Sequence, residues 1–216
     1  MAPKDIRILG IKNVAYLSKG KRGVIYTASY NGKKVAIKTK NKDSFAVGRI
    51  ENEFKTLKKL NKCGIGPKVP LFHKGKKDGS YMLYKFVEGE FILDYIEKNQ
   101  NAKLVSSLLR KIFYQLYKMD KLGINKEEMH RPIKHIIISK NKPVMIDFEK
   151  AYATDNPHNV TQFMQFLTRK DCSLLLIKSG IKIELKNVIS SAKKYKQSKS
   201  QKALNELLYA LNIKST

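Results

Sequence analysis

The fold is decided by residues 17–38, which read LSKGKRGVIYTASYNGKKVAIK. Short apolar runs are separated here by glycines, and the pair Asn31-Gly32 is a strong signal for a tight hairpin turn between two strands. Because successive side chains of a strand point to opposite faces, Lys38 shares a face with the small residue Ala36. The stretch therefore predicts an antiparallel sheet that presents a lysine close to a glycine-containing turn.

A helix is predicted directly after this sheet. Its apolar positions follow helical spacing and consist of Ile50, Phe54, Leu57 and Leu60. At about 100° per residue Glu53 falls within this apolar arc, whereas Glu51 points roughly perpendicular to it. A carboxylate within an apolar stripe needs a partner, and a lysine at a binding site needs an acid to orient it. We therefore expect Glu53 to pair with Lys38.

The rest of the chain is predicted to be mostly helical. The elements expected are a strand at 81–87, a long helix at 104–122, a hairpin formed by 136–138 and 144–146, and helices at 160–167 and beyond 173. The natural hinge lies near residue 88. The sequence therefore predicts an α+β protein, with a strand-rich N-terminal part and a mostly helical C-terminal part.

Positive charge dominates the composition, with 44 Lys and Arg residues against 18 Asp and Glu and a formal net charge of +26. Such a field attracts polyanions such as phosphorylated ligands, nucleic acid or ribonucleoprotein. No apolar run approaches the roughly 18 residues that a membrane helix needs. Cys63 and Cys172 have no spacing typical of a zinc site or a disulfide framework. We therefore expect a cytoplasmic protein without a membrane partner.

Two later segments contain side chains that can bind a metal or take part in catalysis. Asp147 ends the apolar run Val144-Met145-Ile146, and a hard cation such as Mg²⁺ binds a carboxylate oxygen together with phosphate oxygens. The connection at residues 123–138 contains acidic, histidine, arginine and lysine side chains within a short stretch. A connection so dense in hydrogen-bonding groups is a candidate site.

Taken in their order along the chain, these motifs resemble the conserved motifs of the protein-kinase-like fold. The likeness is to the minimal kinases of the RIO and KEOPS-associated type and to a related archaeal family of predicted Ser/Thr protein kinases, and it covers about residues 14–170. Five motifs carry it. They are Ser18-x-Gly20-x-x-Gly23-x-Ile25 for the Gly-rich loop, Ala36-Ile37-Lys38 for A-x-K, Gly64-Ile65-Gly66-Pro67 after the helix, Tyr84-Lys85-Phe86-Val87-Glu88-Gly89 for the gatekeeper and adenine-binding segment, and Asp147-Phe148 for the start of D-F-G. The resemblance implies two lobes, a small antiparallel-sheet N-lobe with one helix at 1–87 and a mostly helical C-lobe at 88–216.

The resemblance also implies ATP as the ligand, bound between the lobes. Lys38 would contact the α- and β-phosphates, Tyr84 would be the gatekeeper residue, and Asp147 would bind the metal. The implied nucleotide-binding residues are Ser18, Gly20, Gly23, Ile25, Ala36, Lys38, Glu53 and the backbones of Lys85 and Val87.

The catalytic loop departs from the family pattern. Aligning Gly123-Ile124-Asn125 with the family's G-I-x places Glu128 at the catalytic Asp, so Glu128 and Lys38 are the expected catalytic residues. Counting back from the apolar strand places His135 at the metal-binding Asn and leaves two extra residues in the loop. Because imidazole is a poor ligand for Mg²⁺, this position predicts either a single metal or a preference for a softer ion such as Mn²⁺. His130 is the alternative base if this alignment is wrong.

Glu149 stands where the family has the Gly of D-F-G, and the stretch from Glu149 to His158 is too short for a long activation segment. We therefore expect an ATP-dependent phosphotransferase, either an atypical Ser/Thr protein kinase or an autophosphorylating ATPase of the minimal RIO-like type. Two alternatives stay open. One is a catalytically weak kinase-like domain that binds RNA, DNA or a ribonucleoprotein, and the other is a small-molecule phosphotransferase. The phosphate acceptor would be a protein or a small molecule.

Overall fold

The computed structural model describes residues 10–41, 43–44, 49–75 and 79–213. An antiparallel N-terminal sheet is followed by a mostly helical remainder, so the predicted α+β class is confirmed. The chain divides into two compact units. The N-terminal unit runs to Val87 and also contains Ile146–Ala151, and the C-terminal unit consists of Glu88–Met145 and the chain from Tyr152 onward.

The N-terminal unit is built on a five-stranded antiparallel sheet with the strand order β1-β2-β3-β5-β4. Its strands are β1 (Ile11–Lys19), β2 (Gly23–Tyr30), β3 (Lys33–Lys40), β4 (Leu71–His73) and β5 (Tyr81–Lys85). The predicted hairpin turn at Asn31-Gly32 is confirmed, since both residues have positive φ, 49° and 70°, as the tight turn between β2 and β3 requires.

The two faces of β3 have different roles. Val35 and Ile37 belong to a buried apolar cluster on one face of the sheet. Lys38, on the other face, contacts Glu53 of the helix α1 (Arg49–Asn61), whose buried residues are Ile50, Glu53, Leu57 and Leu60. The strand period of two and the helix period of 3.6 therefore bring a lysine and a glutamate to the same internal surface.

The C-terminal unit is mostly helical. Its helices are α2 (Ile92–Lys98), α3 (Ala102–Lys121), α4 (Asn159–Leu167), α5 (Lys170–Lys178), α6 (Leu185–Ser198) and α7 (Gln201–Ala210). Its short strands are β6 (Glu90–Phe91), β7 (Ile124–Asn125), β8 (Ile136–Ser139), β9 (Lys142–Met145) and β10 (Tyr152–Ala153). The predicted hairpin is confirmed as β8–β9, with Ile136 opposite Met145.

A buried hydrogen-bond network holds the connection that follows α3. Asp120 accepts hydrogen bonds from the side-chain amide of Asn159, at 2.7 Å, and from the hydroxyl of Tyr195, at 2.8 Å. Asn159 in turn donates to the carbonyl of Ile124 and accepts from the N–H of Lys126, both at 2.7 Å. Burial raises the pKa of Asp120, and these hydrogen bonds oppose the shift. The start of the 123–138 connection is therefore fixed from α3, α4 and α6.

No helix in the described part of the chain combines the length and the apolar character that a membrane crossing requires. Cys63 and Cys172 are both free thiols, and Cys172 is buried.

Candidate functional site

Lys38 is the centre of a buried ion cluster in the N-terminal unit. Its Nζ lies 2.7 Å from Oε2 of Glu53, 2.8 Å from Oδ1 of Asp147 and 3.4 Å from Oε2 of Glu149. The Lys38 and Glu53 side chains are 7% and 3% exposed, whereas that of Asp147 is 40% exposed. The contact between Lys38 and Glu53 that the sequence predicts is therefore present. The carboxylate of Asp147 contacts the same ammonium group.

Asp147 has an unusual backbone conformation. Its φ is +61°, in the left-handed region that few residues other than glycine adopt. Such conformations cost free energy in residues other than glycine, and outside turns and helix ends they are enriched at active sites and ligand-binding sites. Here the conformation presents the Asp147 carboxylate to the Lys38 ammonium, 2.8 Å away.

Helix α1 holds the segment around Asp147 in place. The N–H of Phe148 donates to Oε1 of Glu53 at 3.0 Å, and the side chain of Phe148 is fully buried. Asn52 donates from its side-chain amide to the carbonyls of Glu149, at 3.1 Å, and Ala151, at 2.9 Å. Two neighbouring residues of α1, Asn52 and Glu53, therefore hold the segment from Phe148 to Ala151.

Electrostatics keep Lys38 charged. Burial lowers the pKa of Lys38, but the carboxylates of Glu53, Asp147 and Glu149 outweigh burial and raise the pKa above its ordinary value. Burial raises the pKa of Glu53, and the ammonium of Lys38 opposes that shift. Burial also raises the pKa of the Tyr84 phenol, and the negative charge of Glu53 adds to the effect. Tyr84 therefore belongs to the same electrostatic environment as the ion cluster.

The three carboxylates of the cluster form a group that can hold a cation. One oxygen from each of Glu53, Asp147 and Glu149 lies within 4.8 Å of the others. The ammonium of Lys38 already contacts one oxygen of each, and the second oxygen of Glu53 accepts the Phe148 N–H. Asp147 is therefore the accessible ligand. A single partly exposed carboxylate suits Mg²⁺, which proteins usually bind through one or two carboxylates together with substrate phosphates.

The glycine-containing turn packs against Lys38. The N–H of Gly20 donates to the carbonyl of Gly23 at 2.8 Å, which closes the turn between β1 and β2. A Cβ atom at Gly23 would lie 3.1 Å from Cε of Lys38, closer than most real contacts of this kind. Ile25 lies opposite Lys38 in the β2–β3 register, and Ser18 lies opposite Ile25 in the β1–β2 register. Glycine at position 23 therefore leaves the room that the lysine side chain occupies.

Arg22, in the same turn, is a site residue that the sequence analysis missed. Its Nη1 lies 3.3 Å from Oε1 of Glu149, and the Arg22 and Glu149 side chains are 29% and 11% exposed. Glu149 therefore contacts two cations, Arg22 through one oxygen and Lys38 through the other. Both residues lie within motifs that the sequence analysis identified, but nothing in their spacing indicated this contact.

Two of the three residues expected at the adenine base, Ala36 and Lys85, lie on the adjacent strands β3 and β5. Ala36 of β3 is opposite Tyr84 of β5 in the register of the sheet. Lys85 ends β5 and is exposed, and Val87 is the last residue before the chain enters the C-terminal unit. Their contact with a nucleobase stays a prediction.

The predicted catalytic-loop residues lie in the C-terminal unit. Glu128 has a φ of +72°, and its Oε2 lies 3.5 Å from Nε2 of His135. The other ring nitrogen of His135 lies 3.3 Å from Nζ of Lys126, which is buried. His130 is exposed. The contacts of His135 favour a role beside Glu128, and its role as a metal ligand stays a prediction.

No protein-family model matches the chain. An uncharacterized protein of Methanocaldococcus jannaschii is 29% identical over 119 residues, which correspond to 52% of this chain and 98% of the relative. The description of this relative names no activity. The comparisons therefore assign no activity to this chain.

Proposed function

We propose that the protein is an ATP-dependent phosphotransferase with a protein-kinase-like fold of the minimal RIO-like type. It would act as an atypical Ser/Thr protein kinase or an autophosphorylating ATPase. The observation that carries this proposal is the contact of one buried ammonium, Lys38, with Glu53 at 2.7 Å and Asp147 at 2.8 Å. Buried ion pairs contribute little net stability, so such a cluster beside a strained aspartate favours a functional explanation.

Each residue of the cluster has a role in this proposal. Lys38 binds the α- and β-phosphates, and Glu53 orients its ammonium. Asp147 would hold Mg²⁺ or Mn²⁺, which would supply the positive charge that neutralises the transferring phosphoryl group. Two cations, Lys38 and Arg22, face the three carboxylates of Glu53, Asp147 and Glu149, which leaves an excess of negative charge. This excess favours binding of a metal–nucleotide complex over a nucleotide without metal.

The turn between β1 and β2 would contact the phosphates through its backbone. Four residues form or flank this turn: Ser18, Gly20, Gly23 and Ile25. The adenine base would lie near Ala36 and the backbones of Lys85 and Val87. Ala36 has a small side chain, which suits the packing of a flat ring against the strand.

We further propose that Glu128 accepts the proton of the acceptor hydroxyl. Replacing Glu128 with Gln should slow phosphate transfer by about 10²-fold, since general-base catalysis contributes at least that much. Affinity for MgATP should stay unchanged, because Glu128 does not belong to the phosphate-binding cluster. The measurement is the rate of phosphate release or transfer from labelled ATP, together with the Kd for MgATP by calorimetry.

The matched control for this prediction is His130→Ala, because His130 is exposed and lies in the same connection. We expect this variant to keep full activity. If the Glu128→Gln variant is fully active and the His130→Ala variant is inactive, His130 is the base and the alignment of the loop is wrong.

The acceptor is proposed to be a protein hydroxyl group or a small molecule. After Glu149 the chain forms the short strand β10, which pairs with β7, and α4 begins at Asn159. This leaves no space for a long activation segment. We therefore propose an activity that does not depend on phosphorylation of such a segment.

A second proposal concerns the basic surface, which would bind RNA, DNA or a ribonucleoprotein. The exposed lysines of two C-terminal helices favour it: Lys186, Lys193, Lys194 and Lys196 of α6 and Lys202 of α7. Nucleic-acid affinity should fall by about 0.9 log unit per phosphate contact for each log unit of added salt. Filter binding of a labelled duplex at several salt concentrations measures this slope. A protein that binds no polyanion at low salt would exclude the proposal.

A further inference from the structure

Asn41 holds the turn between β1 and β2 from the end of β3. Its backbone N–H donates to the carbonyl of Arg22 at 2.8 Å, and its Nδ2 lies 3.1 Å from the carbonyl oxygen of Gly20 and 3.3 Å from that of Lys21. Its Oδ1 accepts the N–H of Asp43, so the side chain is itself fixed. Asn41 is only 5% exposed. A single buried asparagine thus binds three consecutive carbonyls of the turn.

These hydrogen bonds determine where the N–H groups of the turn point. In a trans peptide unit the C=O and the N–H are antiparallel, and the described backbone contains no cis peptide bond. The carbonyls of Gly20 and Lys21 point towards Asn41, so the N–H groups of Lys21 and Arg22 point away from it. Among the described residues, neither N–H has a protein acceptor.

Adjacent N–H groups that point the same way are the usual backbone element for binding an anion. Two cations lie beside this turn. The guanidinium of Arg22 belongs to the turn itself, and Gly23 packs against the side chain of Lys38. The chemistry of the turn therefore suits a polyphosphate.

We propose that Asn41 is a positioning residue, which holds the N–H groups of Lys21 and Arg22 in place for the phosphates of a nucleoside triphosphate. Asn41 itself does not touch the phosphates. The identity of the nucleotide rests on the function proposed above, whereas the anion-binding property of the turn does not.

The chain offers a matched control. Asn61 also makes two side-chain hydrogen bonds to carbonyls, those of Ile65 and Pro67, and accepts the N–H of Val69. It lies in the same unit but holds a different loop. The Asn41→Ala and Asn61→Ala variants therefore lose the same kinds of hydrogen bond and should lose similar stability.

The experiment follows the backbone amide signals by NMR during titration with inorganic tripolyphosphate in the presence of Mg²⁺ and, separately, with MgATP. In the wild-type protein both anions should shift the amide signals of Lys21 and Arg22. In Asn41→Ala these shifts should be lost, and the affinity for both anions should fall by about tenfold, as expected for the loss of charge-assisted hydrogen bonds. Asn61→Ala should match the wild-type protein in both measurements.

Equal anion affinities in Asn41→Ala and Asn61→Ala would overturn the inference, as would wild-type protein in which neither anion shifts the two amides. If tripolyphosphate shifts them in an Asn41-dependent way and MgATP does not bind, the inference stands and the proposed nucleotide function fails. If Asn41→Ala does not fold, the variants Asn41→Leu and Asn61→Leu keep the size of the side chain and add no charge but cannot donate to the carbonyls, and the same results are expected of this pair.

Discussion

Replacing Asp147 with Asn is expected to reduce phosphate transfer from ATP by about 10²–10³-fold, the scale on which removal of one preorganised electrostatic contact slows an enzyme. The amide has the size of the carboxylate but not its charge, so it loses both the ion pair with Lys38 and most of its affinity for a divalent cation. The fold should survive the change, because asparagine is one of the few residues that readily adopt the positive φ found at this position.

The measurement is the rate of phosphate release from labelled ATP over a range of Mg²⁺ concentrations. The Asp147→Asn variant should also need more Mg²⁺ for half-maximal activity, a change that loss of stability alone would not produce. The control is Asp155→Asn, because Asp155 is exposed and lies in the C-terminal unit. An undiminished rate in Asp147→Asn would exclude Asp147 as the metal ligand.

The sequence predicted those parts of the site that depend on local periodicity. Strand alternation identified the face of Lys38, and helical spacing placed Glu53 within the buried stripe of α1. Lys38 and Glu53 were expected to meet because the strand and the helix pack through the faces on which these two side chains lie. The hairpin at Asn31-Gly32 was predictable for a similar reason, since its backbone conformation depends on two adjacent residues.

The sequence could not predict the hydrogen bonds that hold the site in place. Arg22 and Glu149 are 127 residues apart, and the contacts of Asn52 with the segment after Asp147 span almost 100 residues. Such contacts depend on how whole elements pack, and no periodicity of the chain encodes them. Asn41 lies just beyond the predicted sheet, whose last residue is Lys38, at a place where an asparagine most often only ends a strand or begins a turn. Its role became visible only in its hydrogen bonds.

The contacts of His135 differ from those that its position along the chain suggested. Counting back from the strand gave it the position of a metal-binding residue. In the structure one ring nitrogen faces Glu128 and the other faces Lys126. Position along the chain indicates which residues share a loop, whereas the direction of each side chain depends on the buried residues beneath the loop.

Replacing Lys38 with Met is expected to lower the free energy of unfolding by about 3–5 kcal/mol, the usual cost of removing one partner from a buried ion pair. Three carboxylates, those of Glu53, Asp147 and Glu149, would then lack their shared ammonium. Because the pKa of Lys38 is raised in the folded protein, its stabilisation is present below the ordinary pKa of 10.5 and is lost only as the pH rises through the folded value. The full cost should therefore appear in urea denaturation at neutral pH.

The double variant Lys38→Met, Glu53→Gln separates stability from function. Removing both charges of the closest pair should recover part of the lost stability, with a coupling of about 1–3 kcal/mol between the two sites. If the pair served only the fold, the recovered variant would also recover MgATP binding. We expect the opposite, a protein that is more stable than Lys38→Met but still does not bind MgATP, because the ammonium that would contact the phosphates is absent. Recovery of MgATP binding together with stability would show that Lys38 is not a phosphate ligand.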